Sequence, residues 1–336
     1  MPKDKGLTKV GDLAPLFELP DIPEIEDSES VKAAKRLMEV ARADAHAHKQ
    51  PTVATGEIPY PQEDFCQLDL WPEPERGSPN AFLRSALFAA IQSEHRQQIA
   101  GEQVRRSDTP PPVAIASQRG LLISYKGQQL DQYDLDVWLQ AIHYARAQPI
   151  GTECLFHGHA FLKDIGRSRG EANYDVLIQS LTRLTEGLVV IKYDTVTFTG
   201  HLVSSFTRDD ATGKFKVTFN EEILKLFGRS SFTRIQWDER CALKGKALAL
   251  WVHGFYASHA KPYPLTVDYL RRLCGSRNTA ERSFKAALKR AFSECEKATD
   301  GRMKGIISGD MVTVHKLPSG SQAKHLAAQS TTGRRS

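Results

Sequence analysis

Residues 261–297, KPYPLTVDYLRRLCGSRNTAERSFKAALKRAFSECEK, decide the fold. Thr266 is a side-chain cap for a short helix that ends at Leu273. Gly275 and Ser276 make a turn, and the spacing predicts a long helix from about residue 278 to residue 297. In that helix Phe284, Leu288, Ala291 and Cys295 follow i, i+4, i+7, i+11 and form a stripe to be buried. Asn278, Arg282, Lys285 and Lys289 follow similar spacing about 120° around the axis. A leading helix precedes this stretch (244–259, KGKALALWVHGFYASH), and weak strands near 306–307 and 312–314 follow it.

The same order occurs earlier in the chain. DLDVWLQAIHYARAQ (134–148) places Leu135, Trp138, Leu139, Ile142 and Ala145 on one helical face. A short strand (153–156), a short helix (161–165), a turn (166–168) and a long helix (about 169–186, stopped by Gly187) come next. Strands VVIKYD and VTFTGHLVSSF follow, and after DDATG the alternation of Phe215, Val217 and Phe219 marks a hairpin arm. Leu162, Ile165, Ser168 and Arg169 match Leu270, Leu273, Ser276 and Arg277 at an offset of 108. A one-residue slip then pairs Leu177, Leu181 and Leu184 with Phe284, Leu288 and Ala291. Short helix, tight turn, long helix and hairpin is the order of a winged helix-turn-helix. The expected fold is α+β, with two tandem winged-helix domains preceded by a largely disordered N-terminal region.

The expected boundaries are 1–80 for a flexible N-terminal region, 81–227 and 228–316 for the two domains, and 317–336 for a disordered tail. Regular structure is expected from about Leu121, after a short Ala-rich helix (31–48) and a Pro-rich linker (49–80). The chain has 336 residues, 40% hydrophobic and 25% charged, and a formal net charge of +5. No apolar run is long enough for a membrane span, and MPKDKGLTKV lacks the apolar core of a signal peptide. Five cysteines without a CxxC pair fit reduced thiols and a cytoplasmic protein rather than a disulfide framework or zinc site. Residues 21–30 carry five acids and no base, whereas 261–304 carry eleven Lys and Arg against five Asp and Glu. Such a basic distal half suits a polyanionic partner, although two solvated faces of opposite sign would have the same composition.

A helix that enters a major groove needs its apolar side anchored, Arg and Asn reaching base edges, and Lys on phosphates. Arg277, Asn278, Arg282, Lys285 and Lys289 are therefore candidate DNA contacts. An amphipathic surface helix with a basic solvent face is the alternative. The equivalent helix of the first module offers Arg169, Asn173, Ser180 and Arg183 on one face, interrupted by Val176 and flanked by Asp175, a pattern better suited to backbone or protein contacts. Catalysis finds little support, because neither GxxxxGK[ST] nor HExxH occurs. His157-Gly158-His159 with Tyr174 downstream has the residue types of a metal-dependent nickase. Its central glycine and its place at a helix start favour loop or capping histidines, and His46-Ala47-His48 fits no better. No cofactor or metal is expected.

Gln67-Leu68-Asp69-Leu70-Trp71 is an apolar island in a polar linker. It resembles the bacterial clamp-binding peptide, QL[SD]LF in form, with Leu70 and Trp71 seated in the sliding clamp and Gln67 hydrogen-bonding. A linker segment that docks on the chain's own domain is the competing reading.

From about Gln67 to Lys316 the chain resembles the TrfA-type plasmid replication initiators. The resemblance is carried in order by QLDLWP, PNAFLRSALF, ISYKGQQL, VWLQAIHYARAQPIG, ILKLF and KPYPLTVDYLRRLCGS. It implies a non-enzymatic protein whose monomers bind directly repeated origin sites (iterons) on double-stranded DNA and open adjacent AT-rich DNA, exposing single strands. It also implies recruitment of the replicative helicase, DnaA and the sliding clamp, and an inactive homodimer held largely through the first domain. A winged-helix transcriptional regulator, which would bind one palindrome as a dimer, is the alternative.

Overall fold

The chain is already inside a core at Trp71, which is 3% exposed. The structure, a computed structural model, describes residues 71–101, 109–146, 153–193, 196–227 and 231–332. Strand β1 (Glu75–Pro79), helix α1 (Asn80–Leu83) and strand β2 (Phe88–Ala89) follow. They bury Phe82, Leu83, Leu87 and Phe88. Folded structure thus begins well before Leu121, the expected start. These elements are two to five residues long, too short to show a period that sequence can reveal.

Next come β3 (Gln98–Ile99), β4 (Val113–Ile115), β5 (Leu121–Gln128), β6 (Leu130–Asp131) and the central helix α2 (Gln132–Ala145). Asp131 starts α2 with a reciprocal cap: its carboxylate accepts from Tyr133 N (3.0 Å) and Asp134 N (3.1 Å), and Asp134 accepts from Asp131 N (3.0 Å). Every α2 residue except Tyr144 is buried, as for a helix covered on all sides. Strand β7 (Glu153–His157), α3 (Gly158–Asp164), α4 (Glu171–Glu186), β8 (Leu188–Tyr193), β9 (Val196–His201), β10 (Ser205–Asp209) and β11 (Lys214–Thr218) follow. The stretch expected as one strand, 196–206, is split at Leu202, whose carbonyl instead accepts from Trp138 Nε1 (3.1 Å). A 3-10 turn (Glu221–Phe227) and β12 (Phe232–Gln236), which pairs antiparallel with β1, complete the first core.

Helix α5 (Trp237–Ala242) packs Trp237 and Cys241 on the first core, and the second core comprises α6 (Ala247–Ala257), β13 (Leu265–Thr266), α7 (Val267–Leu273), α8 (Glu281–Ala298), β14 (Met303–Ser308) and β15 (Met311–Lys316). Strand β13 pairs with β15 as β7 pairs with β11, so the helix-and-hairpin order recurs. The copies differ by one insertion: β8 and β9 follow α4 directly and join β5 in a separate sheet. Ile235 and Trp237 belong to the first core and Leu243 to the second. The change from the first buried cluster to the second thus comes after α5. The tail expected as disordered forms α9 (Gly320–Thr332). Gln322 anchors it, donating to Ala257 O (2.8 Å) and accepting from Lys316 Nζ (2.6 Å). No helix among the described residues is long and apolar enough to cross a membrane.

Arg240, 1% exposed, joins the cores. Its guanidinium donates to Asp136 Oδ1 (2.5 Å) and Gln132 Oε1 (3.1 Å) on α2, and to Leu250 O (3.3 Å) on α6. Burial raises the Asp136 carboxyl above its ordinary value, and Arg240 opposes the rise. Trp251 Nε1 also donates to Ser85 O (3.2 Å), and Ala90 N to Cys274 O (2.8 Å).

Arg240→Ala leaves Asp136 buried without its partner and is expected to lower the unfolding free energy by ~3–5 kcal/mol at neutral pH. An unchanged urea midpoint would remove Arg240 from this role. A pH effect follows from His143 and His259, each pushed by burial from the ordinary 6.5 to about 4. The unfolded chain takes up these protons near pH 6.5, whereas the folded chain does so only near 4. Stability is thus intact above pH 6.5 and falls as pH drops from 6.5 towards 4. Urea midpoints across that window check this, with a shallower slope expected for His259→Gln.

Candidate nucleic-acid interface

Helix α8 is fixed to the second core by Phe284, Leu288, Ala291, Phe292 and Cys295, the predicted stripe with Phe292 added. Arg282 and Lys289 project to solvent, as do Arg290 and, in the preceding turn, Arg277. That turn needs Gly275, whose φ of +66° is matched by Gly166 at +69° in the first module. The Arg271 guanidinium ties the turn together by donating to Asn278 O (3.3 Å) and Asp268 Oδ1 (2.5 Å).

Two of the predicted contacts brace the site. Helix α8 begins at Glu281, not near 278, so Asn278 lies in the turn and its amide donates to Ser283 Oγ (2.9 Å). Lys285 is half-buried, and its ammonium donates to Gly309 O at the tip of the β14–β15 hairpin. The hairpin is thereby held beside the helix. Its outer face carries Ile306 (45% exposed) and Met311 (42%). Sequence reasoning missed Arg290, although its i+8 relation to Arg282 was available; nothing local pointed to the hairpin contact.

The first module departs from expectation. Arg183 is not a surface contact: its guanidinium pairs with Asp134 Oδ1 (2.7 Å), and its side chain is 6% exposed. Ser180 Oγ donates to the same carboxylate oxygen (2.7 Å). The polar face drawn on α4 therefore turns inward at its C-terminal end, because a buried carboxylate on α2 needs a counter-charge. Burial and the neighbouring Asp131 raise the Asp134 carboxyl above its ordinary value, and Arg183 opposes them. Asn173 donates to Ser168 O (3.1 Å) and Oγ (2.7 Å), a turn brace like that of Asn278. What α4 exposes includes Glu171, Asp175, Val176 and Gln179, with Arg169 exposed just before it. Outward cations also lie on β10–β11: Arg208, whose guanidinium carbon is 4.9 Å from the Tyr174 ring centroid, Lys214, and Lys216, paired with Glu153 at 2.9 Å.

His157 and His159 are exposed on either side of the β7–α3 junction, and Tyr174 donates to Gly213 O (3.2 Å). Among the described residues no group of three or more His, Cys, Asp or Glu could hold a metal. Of the apolar pentapeptide, Gln67, Leu68, Asp69 and Leu70 lie outside the described residues. Trp71 does not project for a partner: its Nε1 donates to His143 Nδ1 (3.0 Å), and its ring stacks on Phe227 at 5.6 Å. Trp71 is thus part of the first core.

The plasmid replication initiator protein TrfA of Escherichia coli is 26% identical to this chain over 270 residues, covering 78% of this chain and 66% of that protein. Among solved structures, domains 2 and 3 of RctB are similar with a TM-score of 0.44 and 12% identity, covering 70% of this chain and 98% of that one. The Pi initiator protein in complex with iteron DNA has a TM-score of 0.41 and 10% identity, covering 55% and 92%. Both structural likenesses are partial. The family described as TrfA protein matches residues 33–315, most of the length, and the chain belongs to that family.

Proposed function

We propose that this chain initiates plasmid replication by binding directly repeated origin sequences through two winged-helix modules. The observation that carries the reading is the exposed ridge of Arg277, Arg282, Lys289 and Arg290 on and before a helix anchored by an apolar stripe, beside a hairpin, in a chain of the TrfA family. Arg282 can grip guanine bidentately, and Lys289 and Arg290 suit phosphates. Asn278 and Lys285 hold the turn and hairpin in place for those contacts. The first module supplies a weaker, phosphate-directed contact from Arg169 and the β10–β11 cations, with Arg183 reassigned to its core.

Bound monomers would open adjacent AT-rich DNA and hold the exposed single strand. They would recruit the replicative helicase and DnaA, and would engage the sliding clamp through 67–71. A homodimer would be the inactive form that limits copy number, and the site of action is the cytoplasm. Non-enzymatic action is part of the proposal, since the residues at the ridge bind and position but offer no nucleophile beside a base.

Footprinting of the purified chain on its own plasmid's non-coding DNA is expected to protect direct repeats spaced by whole helical turns, about 10–10.5 bp or multiples. A single inverted repeat would mark a transcriptional regulator instead. Arg282→Ala is expected to weaken specific binding by ~1–3 kcal/mol and relax preference at one base position. Lys289→Ala should weaken all duplexes similarly and reduce the slope of log K against log salt by about 1. Equal, sequence-blind losses from both variants, measured by fluorescence anisotropy over a salt series, would take Arg282 out of base recognition.

A further inference from the structure

A cleft of about 560 Å3 lies where β12, α6, the end of β15 and the start of α9 come together. That volume falls within the ~300–1,000 Å3 usual for small-molecule sites. Arg277, Arg282, Lys289 and Arg290 do not line it, so it is separate from the basic ridge. One cation in the cleft has no counter-charge. Lys316 is half-buried, and its ammonium donates to neutral oxygens: Ala257 O (3.4 Å), His259 O (2.9 Å) and Gln322 Oε1 (2.6 Å). No carboxylate pairs with it among the described residues, and burial lowers its pKa from the ordinary 10.5 to about 8. Beside it begins α9, 13 residues long. Ser319 Oγ accepts from Gln322 N (3.4 Å), whereas the N–H groups of Gly320 and Ser321 have no acceptor within the helix. Such a terminus carries partial positive charge. Arg234 and Arg302 also line the cleft, with side chains 47% and 50% exposed.

Two buried acceptors accompany these donors. His253 lines the cleft, is 2% exposed and donates from Nε2 to Glu239 Oε2 (2.7 Å), while its Nδ1 has no hydrogen-bond partner. An imidazole that gives its Nε2–H to a carboxylate presents Nδ1 as an acceptor when neutral. Glu239 is fully engaged, since its other oxygen pairs with Arg302 (2.6 Å). Glu75 accepts at Oε1 from Gln236 (2.7 Å), but its buried Oε2 has no hydrogen bond and lies 3.9 Å from Arg234 Nε. Buried acceptors left unpaired are costly, so each calls for a donor. The apolar lining includes Phe232, tilted on Phe227 at 5.8 Å, and Leu317, which is 67% exposed. We propose that this cleft binds a nucleotide, with its phosphate at Lys316 and the first turn of α9 and its base against Phe232 and Leu317. The sugar hydroxyl and base amino groups donate to His253 Nδ1 and Glu75 Oε2. Inorganic phosphate would meet the cations and leave both acceptors unpaired. A neutral nucleoside would do the reverse. Since the walls come from both cores, a bound nucleotide also ties β12 to β15 and α9.

Calorimetric titration of the full chain with adenosine monophosphate, inorganic phosphate and adenosine tests the assignment. The nucleotide is expected to bind at a single site, about tenfold or more tightly than either fragment, and to raise the urea midpoint. Two exposed positions separate the cleft from the rest of the surface. Ser321→Asp puts an acid in the first turn of α9, which suits the helix terminus but repels a phosphate. It is expected to weaken nucleotide binding about tenfold or more. Arg234→Gln removes one cation of the cleft and should weaken binding by a smaller factor. Lys304→Gln, at a cation outside the cleft that is 58% exposed, should leave the affinity unchanged. Urea midpoints without nucleotide, close to that of the native chain, report that the variants fold. No binding of the nucleotide, affinity no greater than for inorganic phosphate, or affinity indifferent to both Ser321→Asp and Arg234→Gln would overturn the proposal.

Discussion

The described part of the molecule turns on one charged side chain in an apolar place. Arg240 spends its guanidinium donors on both cores at once, on Asp136 and Gln132 of α2 and on the Leu250 carbonyl of α6. A buried ion pair adds little net stability over a well-packed apolar substitute, but it tolerates few geometries. Its value here is orientation. With Trp251 bonded to Ser85 and Ala90 to Cys274, the link fixes the second module against the first. Cys274 lies in the turn that leads into α8, so the placement of the basic ridge depends on contacts made by the first module.

The two modules are copies in order of elements, not in surface. Both bury equivalent stripes, Leu177, Leu181 and Leu184 in one and Phe284, Leu288 and Ala291 in the other. Both brace the turn with an asparagine amide. Only α8, however, shows a cationic ridge, whereas α4 exposes Glu171 and Asp175 and turns Arg183 inward. Acidic side chains on a surface facing phosphates repel, so similar scaffolds present different charge. The insertion of β8 and β9 gives the first module a second sheet as well.

Buried aromatic side chains at the start of the described chain change the meaning of a linear motif. A short apolar peptide in a linker is usable by a partner to the extent that it is open. Trp71 stacks on Phe227 and covers Gly77, so this residue is part of the first core.

Sequence alone determined the recurring order of short helix, turn, long helix and hairpin between residues 153 and 316, because helical and strand periods and turn residues are local properties of a few neighbouring positions. It also determined the buried stripe of α8, and exposure of Arg282 and Lys289 follows from that stripe by the geometry of one helix. Tertiary structure alone decided the fates of Arg183, Asn278, Lys285 and Trp71. Arg183 meets a carboxylate 49 residues away, Lys285 a carbonyl 24 residues away and Trp71 an imidazole 72 residues away. No period within one element carries information about partners so distant in sequence. A charged residue on the polar side of a helical wheel is drawn the same way whether it faces solvent or an ion partner on a neighbouring helix. That choice is made by packing between elements, which brings an uncompensated charge and its counter-charge out of water together.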